Sequence, residues 1–177
     1  MRACSGGGGG SVNLLVRLFW LALRVWCGAP RDVHAVSRLH FRVWPHDLGW
    51  RDHLPNYRFM SFFELGRFDF WHASRLPFRR LYRTRLIAAQ DVVYLRPIPP
   101  LARFSCSTRL LGWDEKYCYF AHEVRCGETL MAVGLVKEVF LRGGRVVSPP
   151  QVLQLPAQNV PVMQQWQRLQ DELKTLC

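Results

Sequence analysis

The chain has 177 residues, a length that defaults to one domain, and about half of them are apolar, enough to build a core. Aromatic residues make up 13% of it, which argues against a disordered protein. A net charge of +11, supplied mostly by arginine, points to an anionic partner: nucleic acid, acidic lipid or a phosphorylated ligand. No zinc-finger spacing, RNA-recognition signature or basic repeat accompanies that charge, so nothing but charge speaks for nucleic acid.

Residues 1–11 read as a flexible, glycine-rich leader. Residues 12–30 read as an apolar helix. Its uninterrupted apolar run, between Arg17 and Arg24, is too short to span a bilayer. At helical spacing Leu14, Leu18, Leu21 and Val25 share a stripe. Phe19, Trp20 and Trp26 would serve as interfacial anchors on a membrane surface. Packing on the domain or on a partner subunit is the alternative. The expected compartment is the cytoplasm, peripheral to a membrane if the first reading holds.

A domain is expected over residues 35–150. Ala35–Pro45 has strand composition, with Val36, Leu39, Phe41 and Val43 set against Ser37, Arg38, His40 and Arg42. A polar loop follows to Pro55 and carries Asp47, Asp52 and His53. Asn56 then caps a helix whose Phe59, Phe62, Phe63, Gly66 and Phe70 recur at three and four. Gly66 would allow close approach to a neighbour, while Arg67 and Asp69 are placed on the wet side. Pro77–Leu86 is a short basic turn or lid.

Strands are expected next at Ile87–Pro97, Ala102–Asp114, Tyr117–Cys126 and Thr129–Arg142. A turn and a short edge strand follow at Gly143–Val147. Lys137 and Glu138 are adjacent in a strand, so they must point to opposite faces. Asp114 and Glu115 occupy a strand turn, where acidic residues are ordinary. Residues 157–177 form an amphipathic helix with Val162, Trp166, Leu169, Leu173 and Leu176 on one stripe, packed on the body or on a partner.

The six cysteines include no CxxC pair and no zinc spacing with histidine, so no metal and no cofactor is expected. Cys106, Cys118 and Cys126 fall in strands, where a free cysteine acts as a small apolar residue. One long aromatic helix and one meandering antiparallel sheet make an α+β domain. A five-stranded sheet wrapped around that helix, with added N- and C-terminal helices, has the shape of a hotdog fold.

Two stretches, "RVWPHDLGWRDHLPNYRFMSFFELGR" and "STRLLGWDEKYCYFAHEV" followed by "AVGLVKEVF", carry a family likeness. The chain resembles the hotdog-fold acyl-CoA thioesterases of the 4-hydroxybenzoyl-CoA thioesterase type. Its closest likeness is to the subgroup with an N-terminal apolar helix. The likeness implies hydrolysis of an acyl-CoA or acyl-carrier thioester, in lipid metabolism, by a homodimer or higher oligomer. It implies a loop carboxylate as base or nucleophile, and an oxyanion site at the start of the central helix.

Carried onto this chain, the catalytic candidates are Asp47, His53, Asn56 and Glu64. The oxyanion and substrate-binding candidates are Tyr57, Arg58 and Phe59. Arg79, Arg80 and Arg83 are candidates for the phosphates of coenzyme A, since guanidinium matches phosphate geometry. The subgroup's loop reads W-P-x-D-x-D. Here Gly49 stands in the place of the second Asp, whereas alignment on "PNY" puts Asp47 at the catalytic spacing. One register supports an enzyme. The other supports a non-catalytic hotdog protein that binds acyl-CoA or a protein partner.

Overall fold

The computed structural model describes residues 16–23, 29–74 and 84–176. Residues 16–23 are helical (α1). The strands are β1 (Ser37–Arg42), β2 (Thr84–Tyr94), β3 (Arg103–Trp113), β4 (Cys118–Cys126), β5 (Thr129–Arg142) and β6 (Arg145–Val147). The further helices are α2 (Pro45–Leu48), α3 (Asn56–Ala73), α4 (Pro149–Leu153) and α5 (Pro161–Thr175). The expected lid at Pro77–Leu86 falls mostly outside the described residues, although Thr84–Leu86 already belong to β2.

All strand pairs are antiparallel, in the order β1-β3-β4-β5-β2, and β6 adds to β5 as a sixth strand. Inward positions alternate with outward ones, as period two demands. Leu39 of β1, Phe104 and Cys106 of β3, Phe120 and Val124 of β4, and Val136 and Phe140 of β5 are buried with α3 in one core cluster. The rings of Phe62 and Phe104 meet edge to face at 4.9 Å. Burying each such ring contributes on the order of 1.5–3 kcal/mol.

Gly66 does what its spacing suggested: a Cβ there would run into the Thr108 side chain, so α3 and β3 approach more closely than any larger residue permits. Trp113 is buried, and its amide and carbonyl both pair with Gln158 at 2.9 Å. Asp114 caps its turn by accepting the Lys116 and Tyr117 amides, each at 2.7 Å. Cys106 and Cys118 are buried free thiols, and burial pushes the Cys106 thiol up to about 12.

The core is not purely apolar, which corrects the placement of Arg67 and Asp69 in water. Both are buried. Arg67 donates its Nε–H to Glu138 Oε1 at 2.6 Å, and Trp71 donates to Glu138 Oε2 at 2.9 Å. His122 lies 3.4 Å from Arg67, bonds Thr108 Oγ1 at 2.9 Å and stacks on Phe63 at 4.4 Å. Asp69 accepts from Arg31 at 2.8 Å and from the Ser37 hydroxyl at 2.5 Å. A buried charge must be paired, and each of these is. Lys137 points the other way, to Gln167 and Gln170 of α5, so the opposed faces of Lys137 and Glu138 are as expected.

Burial, reinforced by the Arg67 charge, pulls the His122 pKa well below its ordinary value near 6.5. The unfolded chain therefore binds a proton at this residue that the native state refuses. This term is absent above the mid-6 range and grows as pH falls below it. Urea midpoints measured at descending pH should drop from that range downward. A flat profile between pH about 7 and about 5 would show that His122 is not sealed from protons.

α5 lies on the outer face of the sheet, where Met163 and Trp166 cluster with Tyr119. The expected stripe is thus only partly used: Val162, Leu169, Leu173 and Leu176 stay exposed. The contact falls on one turn because Met163, outside the stripe, packs inward with Trp166. α1 behaves in a mixed way. Leu21 joins the core and Leu18 packs against it, while Val16, Phe19, Trp20 and Leu23 face outward. Leu14, Val25 and Trp26 lie outside the described residues. Among those described, no helix is long and apolar enough to cross a membrane.

Candidate active site

The polar stretch after β1 is less of a loop than its composition suggests. Pro45 starts the single turn α2, because proline fixes the φ that a first helical position needs. Asp47 sits at the third position of that turn. Its Oδ2 accepts the Trp44 amide at 3.0 Å and closes the turn back on its own start. The same oxygen accepts Arg17 Nη2 of α1 at 2.7 Å. The Asp47 side chain is 1% exposed and that of Arg17 is 13% exposed, so the pair is shielded from water. His46 Nε2 lies 3.9 Å from Asp47 Oδ1.

Gly49 ends the turn at φ +64° and ψ −118°. A side chain is strained in that conformation, so a carboxylate at position 49 would have to reshape the turn.

α3 begins at Asn56, behind Pro55, whose extended backbone takes the cap position. Asn56 is therefore the first helical residue and not the cap. Helix geometry leaves the first amides without an intrahelical acceptor. The Arg58 amide is taken by the Pro55 carbonyl at 3.0 Å. The amides of Asn56 and Tyr57 remain at the positive end of the helix dipole.

The Arg58 side chain is buried and donates to the His46 carbonyl at 3.1 Å, which ties the α2 turn to the first turn of α3. Tyr57 is exposed, and Phe59 is buried edge to face with Tyr94 of β2 at 5.2 Å. Tyr94 donates its hydroxyl to the Asn56 carbonyl at 3.2 Å.

Tyr57, Arg58 and Phe59 thus form the start of α3, and Arg58 ties it to the turn that holds Asp47. His53 does not face Asp47. It bonds Asp52 at 2.6 Å on the exposed side of the loop, and that bond holds the Asp52 pKa below the usual carboxylate value. Glu64 stands exposed further along α3. Arg79, Arg80 and Arg83 lie outside the described residues. Their neighbour Arg85 turns inward, 5.9 Å from the Trp71 ring, and burial lowers its pKa. Among the described residues, no group of three or more His, Cys, Asp or Glu could hold a metal ion.

Sequence reasoning missed Arg17 as the partner of Asp47. The signal was faint: an arginine in an apolar helix, thirty residues from the acid it neutralises.

Comparison with known proteins places these features in a family. A model of the thioesterase-like superfamily matches residues 43–166. Protein THEM6 of Danio rerio is 30% identical over 146 residues, covering 78% of this chain and 69% of that protein. A thioesterase from Thermus thermophilus, solved as a complex with coenzyme A and zinc, superposes with a TM-score of 0.55 at 27% identity. The match covers 66% of this chain and 93% of that one. A probable thioesterase from Bartonella henselae shares the fold at 16% identity and a TM-score of 0.55, over 72% of this chain and 99% of that one. With its sheet curled around α3 and the α2 turn tied to the start of that helix, the chain belongs to the thioesterase-like superfamily and has the hotdog fold.

Proposed function

We propose that this protein hydrolyses an acyl-CoA or acyl-carrier thioester at the start of α3. The observation that carries the reading is the pair of Asn56 and Tyr57 amides at a helix N-terminus, tied through Arg58 to the turn that holds Asp47. Those amides would polarise the thioester carbonyl and stabilise the oxyanion that forms on attack. Asp47, its carboxylate fixed by the Trp44 amide and Arg17, would take the proton of the attacking water. Phe59 and Tyr94 would line the acyl side.

A second reading, a non-catalytic hotdog protein that binds acyl-CoA or a protein partner, draws on two observations. Asp47 already closes a turn and an ion pair, and Gly49 offers no second carboxylate.

The enzyme reading includes a homodimer, and the edge of the sheet supports it. β2 is the last strand in the sheet order, so among the described residues one of its edges has no strand beside it, and it exposes Leu86, Ile87, Val93 and Tyr94. An apolar free edge pairs readily with another chain. The outward Val16, Phe19 and Trp20 of α1 support contact with a membrane surface and a cytoplasmic, peripheral location.

Purified protein should sediment as a dimer. It should release free thiol from at least one member of a panel of aryl, short-chain and long-chain acyl-CoAs. Silence across the panel, with an acyl species found bound by mass spectrometry, would select the second reading.

A further inference from the structure

On the face of the sheet that points away from α3, the outward residues of β1, β3 and β4 form a basic groove of about 650 Å³. Its basic and hydroxyl lining is Arg38, His40 and Arg42 of β1, Arg103 and Ser105 of β3, and Arg125 of β4, and one acid, Glu128, lines it as well. The strand register builds it. Arg42 stands directly opposite Arg103, His40 opposite Ser105, and Ser105 opposite Arg125. A hydroxyl thus lies between an imidazole and a guanidinium, with two more guanidinia at the next rung.

Like charges directly opposite on antiparallel strands cost stability. Guarding the free edge of β1 with charge would explain Arg38 and Arg42. It does not explain Arg103 and Arg125, which sit on the interior strands β3 and β4. Three of the four guanidinia are also held in place. Arg38 donates its Nε–H to Ser107 at 3.1 Å, Arg42 to the Leu101 carbonyl at 3.0 Å, and Arg125 an Nη1–H to the Glu128 carbonyl at 2.9 Å. Each keeps donors for a ligand, so for these three little ordering remains for binding to supply. Arg125 also lies 3.5 Å from Glu123. Among the described residues, Arg38, Arg42 and Arg103 have no carboxylate partner.

The geometry points to a binding site for a small anion carrying two or more phosphate groups. Guanidinium forks and a serine hydroxyl are donors matched to phosphate oxygens. The groove is a cup three strands wide rather than a stripe along the molecule, which favours a compact ligand over a polymer. The arginines of the site stand on the outward face of the sheet, opposite the face that packs on α3. The phosphates could belong to a soluble molecule or to a lipid headgroup.

Calorimetric titration of the full chain with inorganic tripolyphosphate tests this. We expect saturable one-to-one binding, weakened by at least about tenfold in the Arg42→Ala/Arg103→Ala double variant. It should be unchanged in Arg142→Ala/Arg145→Ala, which removes two exposed arginines of the β5–β6 turn at equal charge cost. Flotation with phosphatidylcholine vesicles, with and without a phosphatidylinositol bisphosphate, runs in parallel. Binding confined to the doped vesicles, and lost in the first double variant, supports the site with a headgroup as its source. Equal weakening by both double variants would overturn the proposal, as would saturable binding to neither probe. Single-stranded RNA binding more tightly than tripolyphosphate and surviving the first double variant would also overturn it.

Discussion

Asp47→Asn is expected to lower thioester turnover by about 10²- to 10⁴-fold, the range that a positioned general base supplies. Asparagine keeps the volume and an oxygen that can still accept the Trp44 amide, so the α2 turn has reason to survive. What it loses is the negative charge, and with it the ability to take a proton from water. It also leaves Arg17 facing a neutral amide, and a lower melting temperature should report that cost separately from turnover. Steady-state kinetics on a folded variant decide the point. Turnover that persists would remove Asp47 from the chemistry and move attention to Glu64, for which Glu64→Gln is the matching variant. Loss of activity in Glu64→Gln with Asp47→Asn still active would place the base on α3.

The second large effect is on stability. Glu138→Ala should cost about 3–5 kcal/mol, because removing one member of a buried ion pair leaves the other charge uncompensated. Here the stranded groups would be two, the guanidinium of Arg67 and the indole N–H of Trp71, both buried. Urea denaturation at pH 7 measures it. The apolar double replacement Arg67→Met/Glu138→Leu should recover most of the loss, since the cost lies in the unpaired charge and not in the absence of the pair. A loss under about 1 kcal/mol for Glu138→Ala would mean that water reaches Arg67.

Periodicity made most of the architecture readable. Thr129–Arg142 is a strand end to end, α3 begins within one residue of its expected start, and Gly66 marks the close approach to Thr108. These features depend on local spacing and on one apolar face. The polar interior depends on neither. Arg67 lies four residues after Phe63 and three before Phe70, so it shares their buried face. His122 falls between Phe120 and Val124 at strand period, and Glu138 between Val136 and Phe140. A polar, ionisable side chain in an inward position on each of three elements is a signal that they meet. Charge alone, read residue by residue, sent Arg67 to the surface.

The candidate site was legible in outline. The loop, its acid and the helix start were all visible, because proline and asparagine punctuate the chain there. The single turn at Pro45–Leu48 was hidden within a stretch that composition marks as irregular. The bond between His53 and Asp52 was also hidden, since adjacent residues in a loop have no fixed relative direction.

The Arg17–Asp47 contact has a consequence for inheritance. Two positions thirty residues apart, one in a helix outside the sheet and one in a turn beside the helix start, share a single shielded charge balance. A change of sign at either one sets two like charges against each other, so substitutions at the two sites should be correlated. A descendant that sheds its first helix takes away the Arg17 charge that balances Asp47, and with it one support of the acid that the proposed chemistry needs. The leading segment and the chemistry of this fold would then evolve as one unit.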